Sequence, residues 1–165
     1  YYIMARKRYD EVYEVWKDYI GIPWWREKKA IGGCYDIILK FYKEQFGMEL
    51  FDYPSEKKYL FKPEYIEAES QRQGGSTVVY TGRNDESFDM NIMEFGDVMI
   101  MHLFIDPLGG GYRVDGKRLC NHIGIYLGEG WMLHHPYQCE SDIVDLHDDN
   151  CSWYLTNTEL VLRKV

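Results

Sequence analysis

Between His122 and His134 the chain reads His-Ile-Gly-Ile-Tyr-Leu-Gly-Glu-Gly-Trp-Met-Leu-His, two β-prone runs separated by Gly128-Glu129-Gly130. No other stretch restricts the fold as strongly. Its β-branched and aromatic content predicts strands over His122 to Leu127 and Trp131 to His134, with the glycines around Glu129 closing a hairpin between them. Residues of like parity share a face of a strand, so His122, Gly124 and Tyr126 should point one way and Ile123, Ile125 and Leu127 the other. Gly124 is expected to leave room beside His122. His134 is expected opposite or near His122, close enough to bond its second ring nitrogen and fix tautomer and orientation. His135 should face the opposite side, outside the site.

Around this hairpin the remaining pattern separates into helices before it and strands near it. Tyr9, Val12, Tyr13, Trp16 and Ile20 fall at helical spacing, predicting a helix from Arg8 to Ile20 that Gly21 stops. Ile22-Pro23-Trp24-Trp25 follows as an extended segment, since a residue before proline is pushed out of the α region. Gly32-Gly33 opens a second helix whose apolar face is Ile37, Ile38, Phe41, Tyr42 and Phe46, with Gly47 as its stop. Asp97 to Phe104 and Leu160 to Leu162 read as strands, with Gly109-Gly110-Gly111 as a break. Phe51 to Glu94 is polar and turn-rich, a rim with a short strand at Thr77 to Tyr80. The order predicts an α+β fold with an antiparallel sheet packed on the second helix. At 165 residues and 45% hydrophobic content the chain fits a single domain over 1–165, with 51–94 as an insertion or loop region.

Composition narrows the function. A net charge of -8 leaves no basic face to displace counterions from nucleic acid. The runs Arg6-Lys7-Arg8 and Arg26, Lys28, Lys29 are short enough to be solvated surface. No apolar stretch reaches the ~20 residues of a membrane span, and the first residues lack the apolar core of a secretory signal, so a soluble protein is expected. Tyr1 is not an initiating residue; the chain starts inside a longer one or after processing, or Met4 is the natural start. The 15 tyrosines fit either a groove for polar ligands or ordinary packing.

Four cysteines remain: Cys34, Cys120, Cys139 and Cys151. Cys139 and Cys151 can pair in an oxidising compartment, whereas free thiols are the expectation in a chain of this kind. His135-x-x-x-Cys139 and His147-x-x-x-Cys151 repeat one spacing, but the acidic residues between them argue for a loop, and neither a metal nor another cofactor is expected. Cys34 should lie in the first turn of the second helix, where free N–H groups and the helix dipole lower a thiol pKa. Read alone, it fits a small buried residue at a helix start better than a nucleophile. With His122 as base and His134 as orienter it completes a thiol-hydrolase triad.

These residues resemble the NlpC-type cysteine peptidases, papain-like enzymes that hydrolyse cell-wall peptides. The resemblance rests on Ile20-Gly21-Ile22-Pro23-Trp24-Trp25, on Gly33-Cys34-Tyr35 through Phe46-Gly47, on Phe95-Gly96-Asp97-Val98, and on the His122 to His134 run. It implies Cys34 as nucleophile, His122 as base and His134 as orienter. The Cys34 N–H would serve as an oxyanion donor, with Trp24, Trp25 and Tyr35 around the pocket. The implied substrate is the stem peptide of peptidoglycan, typically the bond between D-glutamate and diaminopimelate or lysine. Family members usually carry Asp before the nucleophile and a small residue or Trp after it, where this chain has Gly33 and Tyr35. An aromatic at position 35 is most similar to the branch found in bacteriophage tail proteins, implying a place in the virion and tail proteins as partners. Two further readings stay open: a structural subunit of a phage tail tip with weak or lost turnover, and a cellular thiol hydrolase or acyltransferase.

Overall fold

The His122 to His134 run forms two adjacent inner strands of a six-stranded sheet. The computed structural model describes residues 7–24, 34–50, 66–68, 76–82, 88–103, 113–114, 117–118, 120 and 122–164. In chain order the described elements are α1 (Tyr9–Trp16), α2 (Asp36–Phe46), β1 (Ser76–Thr81), β2 (Val98–Met101), β3 (Arg113–Val114), β4 (Lys117–Arg118), β5 (His122–Gly128), β6 (Trp131–His134), β7 (Asp142–Asp145), α3 (Ser152–Thr156) and β8 (Thr158–Lys164). Six strands form one sheet in the order β1-β8-β2-β5-β6-β7, and β3 pairs with β4 separately. All neighbours are antiparallel. The α+β class read from the sequence describes this mixture of helices and antiparallel sheet.

Both faces of the sheet are covered, so its strands read as continuous apolar runs. Val98, Ile100, Ile125, Leu133, Leu160 and Leu162 form one cluster with Ile37, Ile38, Phe41 and Tyr42 of α2. On the other face Met99, Met101, Tyr126, Met132 and Val161 join Met93, Leu146 and Tyr154 of α3. Cross-strand partners share a face. Met101 pairs with His122 and Met99 with Gly124, which puts His122 on the methionine face by register.

The helix ends have local causes. Helical geometry stops at Trp16, where a 3-10 turn over Lys17–Tyr19 takes over, shorter than the predicted run to Ile20. The chain is drawn away by Ser141. Its Oγ donates to the Tyr19 carbonyl at 2.7 Å and accepts from the Ile22 N–H at 2.9 Å. Gly21 N–H donates to the Ser141 carbonyl at 2.8 Å and Ser141 N–H to the Ile22 carbonyl at 2.9 Å. At the far end of α2, Gly47 adopts φ +63°, and the N–H groups of Gly47 and Met48 close onto the carbonyls of Lys43 and Tyr42.

β7 falls in the stretch read as an acidic loop, whereas β1 contains the short strand expected at Thr77 to Tyr80 and supplies an edge strand of the main sheet.

The Phe95-Gly96-Asp97-Val98 block has a structural explanation. Gly96 has φ +89°, and a Cβ there would sit 2.7 Å from the Phe46 ring. Asp97, 1% exposed, is gripped by Arg163 of β8 through Nε at 2.9 Å and Nη2 at 2.8 Å, and accepts from the Glu94 N–H at 2.8 Å. The turn it fixes exchanges two bonds with Tyr126, aligning β2 with β5. Removing one partner of a buried pair strands the other charge. Arg163→Ala is expected to lower unfolding free energy by about 3 kcal/mol in denaturant titrations. Arg163→Lys should recover only part of it, because the two-point grip is lost.

Candidate active site

The register of β5 and β6 sets Gly124 opposite His134, so His122, two residues from Gly124 on the same face, lies diagonal to His134. Their rings meet nearly at right angles, with His122 Nε2 and His134 Nδ1 2.8 Å apart. One nitrogen must carry the hydrogen. If it is His122 Nε2, the His122 Nδ1 lone pair is left open and His134 keeps its own proton on Nε2.

Neither ring favours charge. Burial lowers the pKa of His122 to about 4, and the charge of His135 acts in the same direction. His134 is held well below the ordinary value by burial first, then by His122 and His135. At neutral pH the pair is two neutral imidazoles.

Cys34 stands beside the start of β5. Burial pushes its thiol up to about 12, and the Asp36 carboxylate adds to the rise; the backbone N–H groups of Ile123, Cys34 and Tyr35 act against it. Ile123 directly follows His122, so the turn at 34–35 and the first residues of β5 are neighbours. This corrects the expectation of a lowered thiol pKa in the first helical turn. The helix begins at Asp36, two residues later, and desolvation outweighs the few N–H groups that face the sulfur.

The other expected residues are placed differently. Tyr35 is partly buried against the cluster shared with α2. The Trp24 ring lies edge-on to His135 at 5.2 Å and to Tyr137 at 5.3 Å. With Pro23, Gln138, Cys139 and Glu140 it lines a cleft of about 450 Å³. Trp25 and Gly33 lie outside the described residues.

Gly124 does not open space for a histidine. A Cβ there would sit 2.6 Å from Met132 Sδ and 2.9 Å from its Cγ, so the gap is filled by the methionine. His135 is also closer to the site than its parity suggests. It is buried, its Nε2 lies 3.0 Å from the Cys139 carbonyl, and its charge acts on both other histidines. The chain leaves strand geometry after His134, so alternation stops predicting direction. The consecutive His134-His135 pair was the available signal.

None of Cys34, Cys120, Cys139 and Cys151 is in a disulfide, and no group of three or more His, Cys, Asp or Glu among the described residues could hold a metal ion. Nor is any described helix long and apolar enough to cross a membrane.

No protein-family model matches the chain, and no curated protein matches it either. Among solved structures it is similar to an NlpC/P60 family protein from Bacillus cereus, with 16% identity and a TM-score of 0.49 over 97% of this chain and 41% of that one. It is also similar to a Staphylococcus aureus protein described as similar to lipoprotein of the NLP/P60 family, with 17% identity and a TM-score of 0.45 over 99% of this chain and 44% of that one. The chain therefore spans less than half the length of either.

The depressed histidines make stability depend on pH with a definite sign. An unfolded histidine takes a proton near pH 6.5, whereas folded His122 does so only at about 4, so between these values the unfolded state binds more protons. The contribution of His122 should be complete above about pH 6.5 and be lost as pH drops toward 4, a loss of about 3 kcal/mol from this residue alone. Urea unfolding across this range measures it. His122→Gln should flatten the acid limb, and an unchanged limb in that variant contradicts the assignment.

Proposed function

We propose that this chain is a cysteine-dependent hydrolase of the NlpC type that cleaves stem peptides of peptidoglycan, with Cys34 as nucleophile, His122 as base and His134 as its orienter. What supports this reading is the buried 2.8 Å bond between His122 Nε2 and His134 Nδ1, together with the backbone N–H of Ile123, the next residue of β5, which acts on the Cys34 thiol. The bond occupies one nitrogen of His122, and in this reading proton transfer uses the other, Nδ1.

With the thiol near 12, only about one molecule in 100,000 carries a thiolate at neutral pH. The reaction therefore starts from a neutral thiol and a neutral imidazole. As Sγ attacks the peptide carbonyl carbon, the Cys34 proton passes to His122 Nδ1 and the carbonyl π electrons move onto oxygen. The Cys34 backbone N–H donates to that oxyanion. Collapse breaks the C–N bond, His122 returns the proton to the leaving amine, and a thioester remains. Water, deprotonated by His122, then cleaves the thioester and restores the thiol. The cleft beside Trp24 offers a place for the substrate chain next to this histidine cluster.

A second reading is a structural subunit of a phage tail tip with little turnover. It is favoured by the burial of Cys34, 4% exposed with its thiol near 12. Tyr35 after the nucleophile is the feature that points to phage tails in either case.

Purified peptidoglycan with detection of newly released amino groups separates the two. Release by the wild type that falls at least ~1,000-fold in Cys34→Ala is expected for the hydrolase. Turnover that survives Cys34→Ala rules out the thiol mechanism, and a folded wild type that releases nothing favours the structural subunit. Iodoacetamide labelling mapped to Cys34 should keep rising about tenfold per pH unit through pH 10, without the plateau of an ordinary thiol.

A further inference from the structure

The β5–β6 pairing fixes the backbone of His134 but leaves its ring free to turn. The last torsion of a histidine is broad and roughly two-fold, so strand geometry alone does not hold Nδ1 toward His122. His134 is 1% exposed, and two rings bracket it. His122 lies at 5.1 Å with planes 84° apart, and Tyr154 at 5.1 Å with planes 80° apart.

Tyr154 is itself unusually well held. Its helix, α3, has 5 residues and includes Trp, Tyr and Thr, so it cannot persist on its own propensity. Side chains around it supply the missing order. Thr158 Oγ1 donates to the Tyr154 carbonyl at 2.8 Å, and Asn157 Nδ2 donates to the Trp153 carbonyl at 2.8 Å. The Trp153 ring stacks on Tyr154 at 4.0 Å and 28°. This short crossover between β7 and β8 places one flat, buried ring, 8% exposed, against His134.

We infer that Tyr154 is a positioning residue: its ring blocks rotation of His134 and so keeps His134 Nδ1 bonded to His122 Nε2. The inference rests on the proposed role of His122 as base. The contact is ring to ring, so the flat ring is needed and the hydroxyl is not. Leucine would keep the site apolar but remove the wall, whereas phenylalanine would preserve it.

The test compares Tyr154→Leu, Tyr154→Phe and, as a control in the same cluster, Leu146→Ala. Tyr154→Leu should lower kcat on peptidoglycan peptides about tenfold or more with KM nearly unchanged, because a misoriented base affects the reaction and not substrate affinity. Tyr154→Phe should stay within about twofold of wild type, and Leu146→Ala should lower the melting temperature without lowering kcat. Nitrogen NMR of the imidazoles gives a readout independent of turnover. A single tautomer at His122 and His134 is expected in wild type and Tyr154→Phe, and averaged tautomers in Tyr154→Leu. Wild-type kcat and an unaltered imidazole spectrum in Tyr154→Leu overturn the inference, as does a Tyr154→Phe that loses as much as Tyr154→Leu. If the wild type shows no turnover, the hydrolase reading fails by itself and the spectra alone decide whether Tyr154 holds the pair.

Discussion

The register of β5 against β6 is the constraint on which the site depends. A slip of one residue would turn His122 and His134 to the face packed by α2 and send Ile123 and Leu133 to the methionine face. Several contacts forbid it. Gly128, Glu129 and Gly130 all take positive φ, and a Cβ at Gly130 would meet the His147 ring. Gly130 N–H donates to the Tyr126 hydroxyl at 2.9 Å, and the Gly130 carbonyl accepts from Leu146 N–H at 2.7 Å. Met132 fills the space beside Gly124, where a Cβ would clash. β5 also has a second neighbour, β2, aligned through Gly96 and Asp97 by the Arg163 link. His122 stands on a strand fixed from both sides, and His134 on its neighbour β6.

Coverage of both sheet faces follows from the same arrangement and sets the electrostatics. A half-exposed sheet would leave the histidines wet and their pKa values near ordinary. Here α2 packs one face and α3 with the methionines packs the other, so His122, His134, His135 and Cys34 are all buried. Desolvation disfavours whichever form is charged. It lowers the histidines and raises the thiol, and both shifts favour the neutral partners.

What was legible in the sequence was local and periodic. The β5–β6 hairpin, the apolar face of α2 and its glycine stop each depend on spacing within about ten residues, and the structure contains all three. The direction of the Cys34 shift was not legible, because a helix start is visible in sequence and desolvation is a tertiary property. The partner of Gly124 was missed for a related reason: parity names a face but not the side chain that fills it. β7, Asp142-Ile143-Val144-Asp145, has only two apolar residues, and its strand state comes from pairing with β6. α3 is too short for periodicity to reveal it. His135 escaped because alternation was carried one residue beyond the strand.

A buried neutral thiol is compatible with catalysis if the site favours the transition state over the resting anion. The N–H groups of Cys34, Tyr35 and Ile123 face the sulfur but do not overcome its desolvation, so they do little for a free thiolate. During the proposed attack the negative charge leaves sulfur for the carbonyl oxygen, while the positive charge develops on His122, hydrogen-bonded to His134. Donors anchored in a turn and a strand need not reorganise for that step. The same burial that suppresses the thiolate leaves few waters to compete for those donors once a peptide is bound. The cost of separating charge then falls on the substrate complex, so an alkylator that lacks a carbonyl at the oxyanion position gains nothing from these donors.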